Sequence, residues 1–465
     1  MKSTLTLTTL ALAAALSACT SLAPDYQRPA GAVPARLPVP AETAVAAPAS
    51  PMAWTEFVRE PRLRQLVQQA LEHNRDLRVA ALNVQRAQAQ LGVTRADRWP
   101  TVGAGLSGSR APNSSGVQTT TLQAGLQVSA WEMDFFGRIA SLTDAAQAQL
   151  LATEAGRRSA ELSLVASVLA ADRTLAADEA LLALAERTVA SRAESLKLTR
   201  LRDHHGAASQ LELQSAQSLS SQAEATLIQA RRQVAQDRNA LALLLGAPVP
   251  TELLPAAATV VVPGADAAAT PEVLAIVPAG LDSSVLLRRP DVQQAEQQLI
   301  AANANIGAAR AAFFPRITLT ASAGLASNQL SSLLEAGSFA WTIAPQALLT
   351  VFDYGRNRNN LEATRLSRDI AVAQYEKSVQ SAFRDTADAL AGLATWRDQL
   401  SAQQRQVDAT RDIQRLTELR YSNGAASELE RLDAQRSLFG AEQLLIQTAL
   451  AEQQNRIALF KALGG

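Results

Sequence analysis

The sequence predicts an exported α+β protein built by tandem duplication, each copy supplying two short strands and one long helical hairpin. Three observations carry this reading. The second half of the chain repeats the first at a fixed spacing. The stretches between successive helix breakers are long enough for helices of about 70 residues, or about 100 Å. Between those stretches lie four segments of alternating apolar and small polar residues, with aromatics at their ends.

The N-terminus gives the compartment. Lys2 precedes a short apolar run, Leu10 to Leu16, that ends in small residues before Cys19. This is the pattern of a secretory signal peptide over residues 1–18, because the run is shorter than the roughly 18–20 apolar residues a spanning helix needs. Leu16-Ser17-Ala18-Cys19 resembles the bacterial lipobox. Cys19 is therefore expected to carry covalent lipid, a diacylglycerol and an N-acyl chain; the alternative is a signal peptide that merely ends near a cysteine. Thr20 follows, and a residue other than Asp there directs such lipoproteins to the outer membrane. Residues 19–60 carry Pro24, Pro29, Pro34, Pro38, Pro40, Pro48 and Pro51, too many for a helix or a central strand, and read as a lipid-anchored extended tether.

Composition excludes several classes. Cys19 is the only cysteine, so neither an intramolecular disulfide nor a two-thiolate metal site is available. Forty-three Lys and Arg balance forty-three Asp and Glu, which leaves no electrostatic bias toward nucleic acid or anionic lipid. After the signal peptide no apolar stretch is long enough for a membrane helix, so any spanning part must be made of strands.

The repeat fixes the rest of the layout. Leu198-Thr199-Arg200-Leu201-Arg202, followed by Gly206-Ala207-Ala208-Ser209-Gln210-Leu211-Glu212, returns as Leu416-Thr417-Glu418-Leu419-Arg420, followed by Gly424-Ala425-Ala426-Ser427-Glu428-Leu429-Glu430. Gly206 to Gly424 is an offset of 218, and Gly137-Arg138 to Gly355-Arg356 and Leu245-Gly246 to Leu463-Gly464 keep it. Upstream, Arg95-Ala96 and Pro100 match Arg310-Ala311 and Pro315 at an offset of 215. The first copy then spans 61–246, with a helix, two strands within 101–132, a long helix over 137–204 and a second helix over 209–245. The Pro-, Ala- and Val-rich residues 247–280 form a linker. The second copy spans 281–464, with a helix, strands within 316–351, a long helix over 355–422 and a last helix over 427–463. Val372, Tyr375, Val379, Phe383, Leu390 and Leu393 recur as one buried helix face requires.

Of nineteen Trp, Tyr and Phe residues, Trp99, Trp131, Phe135, Phe136, Phe313, Phe314, Phe339, Trp341, Phe352 and Tyr354 lie at predicted strand ends. Aromatics at strand boundaries match the interfacial girdles of a membrane barrel; the other reading is a small soluble core between sheet and helices. Four strands cannot close a membrane barrel, because an open edge leaves backbone groups unsatisfied in lipid. The chain is therefore expected to oligomerise, with barrel and helices closed by the same symmetry.

Six segments stand out: Val277-Pro278-Ala279-Gly280-Leu281, Leu287-Arg288-Arg289-Pro290-Asp291-Val292, Ala295 through Gly307, Phe314-Pro315, Phe352-Asp353-Tyr354-Gly355-Arg356 and Leu432-Asp433-Ala434-Gln435-Arg436-Ser437-Leu438. They resemble the outer-membrane factor family of tripartite efflux systems, TolC-like proteins, in its NodT-type lipoprotein branch. The resemblance covers essentially the whole mature chain. It implies a homotrimer whose strands form one 12-stranded outer-membrane β-barrel, continued by a periplasmic α-helical barrel and girdled by the linker and termini. It further implies an exit duct for drugs or other small molecules, handed over by an inner-membrane transporter of the resistance-nodulation-division type and a periplasmic adaptor protein, with no cofactor.

Site residues follow from the resemblance and the repeat together. The turns Gly206-Ala207-Ala208-Ser209 and Gly424-Ala425-Ala426-Ser427 are matching hairpin tips where the family places adaptor docking; each Ser can cap the following helix. Leu429, Asp433 and Arg436 in the second copy align with Leu211, Ser215 and Ser218 in the first. Their spacing of four and three puts them on one helix face, where the family has its periplasmic aperture; the alternative is a plain surface pair. His73, His204 and His205 are the only histidines, and the sequence has no H-E-x-x-H, G-x-S-x-G or phosphate-loop pattern, so neither an enzyme nor a metal site is expected. Two other functions remain as alternatives, a type I protein-secretion channel and a non-conducting periplasmic coiled-coil lipoprotein.

Overall fold

The computed structural model describes residues 21–30, 33–38, 52–112, 114–255, 273–275 and 282–465. The expected signal peptide, Cys19 and most of the 247–280 linker lie outside them.

In chain order the elements are α1 (Trp54–Phe57), α2 (Pro61–His73), α3 (Arg75–Ala96), β1 (Val102–Pro112), β2 (Gln118–Glu132), α4 (Arg138–His204), α5 (Gln210–Leu245), α6 (Pro290–Ala311), β3 (Arg316–Ser327), β4 (Phe339–Leu348), α7 (Arg356–Ser422) and α8 (Glu428–Ala462). Two 3-10 turns are present, Thr251–Leu253 inside the expected linker and Ser283–Arg288 just after it. The helix expected to start the first copy is broken at Asn74. There the side chain caps the next helix by accepting from Leu77 N at 2.9 Å and donates to Leu244 O at 2.9 Å. β4 stops at Leu348, short of the expected 351, because its ladder partner begins there: Leu348 pairs with Arg316, the first residue of β3.

Two compact units cut across the copies. The first comprises the described residues within Met1–Ala30, Leu82–Gly156 and Gln293–Ser378, and the second those within Gly31–Ala81, Arg157–Val292 and Val379–Gly465. In the first unit the strands form one antiparallel sheet in the order β1-β2-β3-β4. The central pairing, β2 with β3, joins the two copies, with Leu126 opposite Ala323 and Val128 opposite Ala321.

The second unit is organised around α8. Ala441, Leu445 and Ala449 pack with Leu400 and Val407 of α7, while Ile446 packs with Ala177 and Leu184 of α4. Alanines let these helices approach closely. Phe57 stacks on Phe460 with centroids 4.3 Å apart, tying α1 to the end of α8. Asp172, fully buried on α4, accepts two bonds from Arg62 of α2 at 2.6 and 3.0 Å, and from its neighbour Arg173. Burying a carboxyl group is costly unless its oxygens are paired and hydrogen-bonded in this way. On α7 the predicted apolar stripe is real: Tyr375, Val379 and Leu390 are buried.

Candidate functional site: the sheet and the helix tips

The sheet has two chemically distinct faces. Along the register, Val102, Ala104 and Leu106 of β1 face the same side as Leu122, Ala124, Leu126 and Val128 of β2. Leu319, Ala321, Ala323 and Leu325 of β3 and Phe339, Trp341, Ile343, Pro345 and Ala347 of β4 continue that side. The opposite side presents Ser107, Gln123, Gln127, Thr320, Ser322, Thr342 and Gln346. Leu106 is 73% exposed and Trp341 66%, so the described residues leave much of the apolar side open. An apolar face of this kind with a polar reverse, which at one end carries the Glu132–Arg316 pair, is how a strand meets lipid on one side and water on the other.

A bulge maintains that division. Between Val128 and Trp131 the register of β2 shifts against β3, with Ala130 at φ 46, and Ala130 N donates to Thr320 Oγ1 at 3.2 Å. Trp131 is three positions after Val128, which would place the two on opposite faces. The extra residue returns Trp131 to the apolar side, opposite Leu319. Farther along, Gly105, Gly125, Gly324 and Ala340 lie side by side across the four strands. A Cβ on Gly125 would stand 2.5 Å from Ala323 O and 2.6 Å from Gly324 Cα, so only glycine permits this approach.

The predicted aromatics divide between the two ends of the sheet. Phe339 and Trp341 sit at the loop end. At the other end Trp99, Phe352 and Tyr354 are exposed, Trp131 Nε1 donates to Arg98 O at 3.3 Å, and Phe136 stacks on Phe314 at 4.8 Å. There Glu132 also pairs with Arg138 and with Arg316, each at 2.7 Å.

In the second unit the two predicted tips have the same construction. Gly206 (φ 70) and Gly424 (φ 69) take the left-handed conformation that ends a helix. Ala207 N donates to Arg202 O at 2.7 Å and Ala425 N to Arg420 O at 2.8 Å. The same arginines return a side-chain bond to Ala207 O at 3.1 Å and Ala425 O at 3.0 Å. Ser209 and Ser427 each close a capping box, with Glu212 and Glu430 respectively. Bonds from Ser209 hold the Glu212 carboxyl below its ordinary range. Gly206, Ala207, Ser209 and their counterparts are exposed, while Ala208 and Ala426 are half-buried.

Leu429, Asp433 and Arg436 lie on one face of α8, with Leu429 70% exposed and Arg436 Nη2 2.5 Å from Asp433 Oδ1. They line a groove of about 390 Å³ together with Ser215 and Ser218 of α5. The structure therefore places the charged residues of the second copy beside their uncharged equivalents in the first.

Behind this face is a cluster that the sequence reading missed. Glu428 and Arg431 are buried and pair through two bonds, at 3.0 and 2.6 Å. The Arg431 guanidinium stands 4.7 Å from the Tyr421 ring centroid. From the other hairpin, Arg202 Nη1 donates to Tyr421 OH at 2.5 Å and Arg192 Nη1 to Gln435 Oε1 at 2.7 Å. Burial and Glu428 push the Tyr421 hydroxyl above its ordinary range. Burial, aided by Arg431, lowers Arg192. The signal available in sequence was asymmetry: Tyr421, Glu428 and Arg431 stand where the first copy has Asp203, Gln210 and Leu213. His204 and His205 are exposed, their rings edge to face at 5.2 Å, and among the described residues no cluster of metal-ligating side chains forms.

A sheet with one lipid-facing and one water-facing side, joined in sequence to paired helical hairpins, defines a channel-forming α+β membrane protein. Among the described residues no helix is long and apolar enough to cross a membrane. The sequence pattern of the outer membrane efflux protein family matches residues 66–247 and 281–465, and the chain belongs to that family. It is 44% identical, over 99% of its length and 96% of the relative's, to the probable efflux pump outer membrane protein TtgC of Pseudomonas putida. To the cation efflux system protein CusC of Escherichia coli it is 39% identical, over 98% and 97% of the two chains. The open state of the Neisseria gonorrhoeae MtrE outer membrane channel superposes with a TM-score of 0.84 at 35% identity, covering 96% of this chain and 98% of that one. The protein is thus an outer-membrane efflux component, with its helices in the periplasm, and its family is a channel family rather than an enzyme family.

Proposed function

We propose that three copies of the chain close into one duct, a 12-stranded barrel through the outer membrane continued by a helical barrel, through which small molecules leave the periplasm. The observation that carries this is the sheet: four strands with an exposed apolar face and two unpaired edges, β1 and β4. Neither edge can stand in lipid. Edge-to-edge closure around a threefold axis satisfies both. A purified trimer that conducts in planar bilayers supports the reading; a trimer that does not conduct leaves the structural periplasmic lipoprotein in its place.

The remaining parts have distinct tasks. Cys19 carries diacylglycerol and an N-acyl chain that hold the N-terminus to the outer membrane. Mass spectrometry of the mature chain decides this, and an unmodified Cys19 removes it. The six tips of the trimer dock a periplasmic adaptor protein, supported by their exposed, preorganised Gly-Ala-Ala-Ser turns. Bulky replacements at Ala207 and Ala425 will then abolish adaptor crosslinking and drug export while trimers persist. Leu429, Asp433 and Arg436 form the periplasmic aperture, stacking a leucine ring, a carboxylate ring and a guanidinium ring. The transporter served is of the resistance-nodulation-division type. Its cargo is drugs or other small molecules; Met1, Met52 and Met133 are the only methionines and cannot form a relay of soft ligands for copper ions. The duct works without cofactor and without catalysis.

A further inference from the structure

Helix α6 carries a stripe that the duct reading does not use. Glu296, Asn303 and Arg310 are spaced by seven, so they lie along one face of the helix. All three bind the chain's own N-terminal segment. Arg310 Nη1 donates to Leu22 O at 3.0 Å, and Asn303 Nδ2 donates to Pro24 O at 2.7 Å. Glu296, only 8% exposed, accepts from Tyr26 OH at 3.0 Å and from Arg28 Nε and Nη2 at 2.7 and 3.0 Å. The segment runs antiparallel to α6, its earliest residues nearest the end that leads into β3.

The duplication supplies an internal control. At the offset of 215, α3 places Ala81, Gln88 and Arg95 where α6 has Glu296, Asn303 and Arg310, and Arg95 bonds Gln147 at 2.9 Å instead. Both helices keep a glycine, Gly92 and Gly307. A Cβ at Gly92 would meet nothing within 4 Å, whereas one at Gly307 would stand 2.4 Å from Ser141 Oγ of α4, 2.8 Å from Ala23 N and 3.0 Å from Ala23 Cβ. The segment is thus recognised by one helix of the pair through charge, amide and close approach.

We propose that Glu296, Asn303, Arg310 and Gly307 form a docking track that seats residues 22–28 on α6 and so fixes the N-terminal anchor beside the base of the strands. The inference rests on Cys19 as the anchor. Cys19 is three residues from Leu22, a reach of about 10 Å at roughly 3.4 Å per residue. Without the track, the next fixed point is Arg36, bridged to Asp282, and the intervening chain could extend about 58 Å by the same rule. The track replaces a long free tether with a short one, so lipid and barrel enter the membrane in register.

The test uses the full-length protein and chymotrypsin, following release of the N-terminal fragment that ends at Tyr26 by mass spectrometry. Gly307→Leu and the double variant Glu296→Ala/Arg310→Ala will release it at least tenfold faster than the wild type or Gly92→Leu. Gly307→Leu also meets Ser141 of α4, so the double variant, which leaves that contact alone, decides where the two differ or where Gly307→Leu fails to fold. Equal release from all four proteins overturns the track. The mass of the same fragment reports separately whether Cys19 is lipidated, so an unmodified Cys19 withdraws the anchor while leaving the docking result readable. Track variants will also yield at least threefold less oligomer from outer membranes; full recovery with an undocked segment overturns the positioning role.

Discussion

Replacing Asp433 and Arg436 together by alanine separates a gate from a surface ion pair, because the two readings differ in which quantity changes. Both side chains are more than half exposed, 57% and 69%, although only 2.5 Å apart. An exposed pair three residues apart on a helix contributes about 0.2–0.5 kcal/mol. Across three protomers that is about 1 kcal/mol, small against the 5–15 kcal/mol that holds a domain together. The double variant will therefore melt within a few degrees of the wild type. Burying a leucine, by contrast, contributes about 1.5–3 kcal/mol, so closure of three Leu429 side chains supplies most of the cohesion of the aperture. The charged rings above it repel within each ring and attract between rings. Their removal will widen the constriction, raise single-channel conductance in planar bilayers and admit large antibiotics from outside. Ser215→Ala/Ser218→Ala, at the aligned positions of the first copy, will do neither. Wild-type conductance and leak from an intact double-alanine trimer would refute the assignment.

Three further outcomes follow from the geometry. Tyr421→Phe removes the hydroxyl bonded to Arg202 but keeps the ring beside Arg431, costing about 1–2 kcal/mol; hydrogen exchange over 198–205 and 416–424 will rise, and unchanged exchange would show that the bond does not couple the hairpins. Gly125→Ala drives a methyl into the β3 backbone and will abolish the heat-modifiable gel shift of a folded barrel, whereas Gly440→Ala, with nothing within 4 Å, will stabilise α8 by up to about 1 kcal/mol; a normal gel shift from the Gly125→Ala variant would count against the close approach. Burial and the neighbouring Asp237 raise the Asp178 carboxyl from 3.8 to about 7. An acid raised in the folded state gives stability that is full below its unfolded value and gone once pH has risen through the folded one. Asp178→Asn will therefore gain melting temperature over the wild type at pH 8.5 and lose that gain near pH 4; a pH-independent difference would rule out the raised Asp178 carboxyl.

Much of the local structure was readable because it is encoded locally. Gly206 and Gly424 end helices through their own backbone freedom, and Ser209 and Ser427 start the next ones with their own hydroxyls. The period-two pattern of Ile317, Leu319 and Ala321 announces a strand whatever lies beside it. The break at Asn74 was missed because only half of what holds it, the cap on Leu77 N, is local; the other half lies 170 residues away, in the carbonyl of Leu244. The Tyr421 cluster was missed for the same reason, since its partner Arg202 belongs to the other hairpin.

By itself the sequence determined the duplication, the order and type of the elements, the punctuation of the tips and the exclusion of a membrane helix. These follow from residue-by-residue preferences and from periodicity. Only the tertiary structure decided that β2 of one copy pairs with β3 of the other, that a bulge at Ala130 returns Trp131 to the apolar face, and that α6 rather than α3 takes the N-terminal segment. Each depends on groups far apart in the chain meeting at a distance of a few ångströms. Such meetings are selected by packing and by the pairing of buried polar groups, which no single stretch of sequence contains.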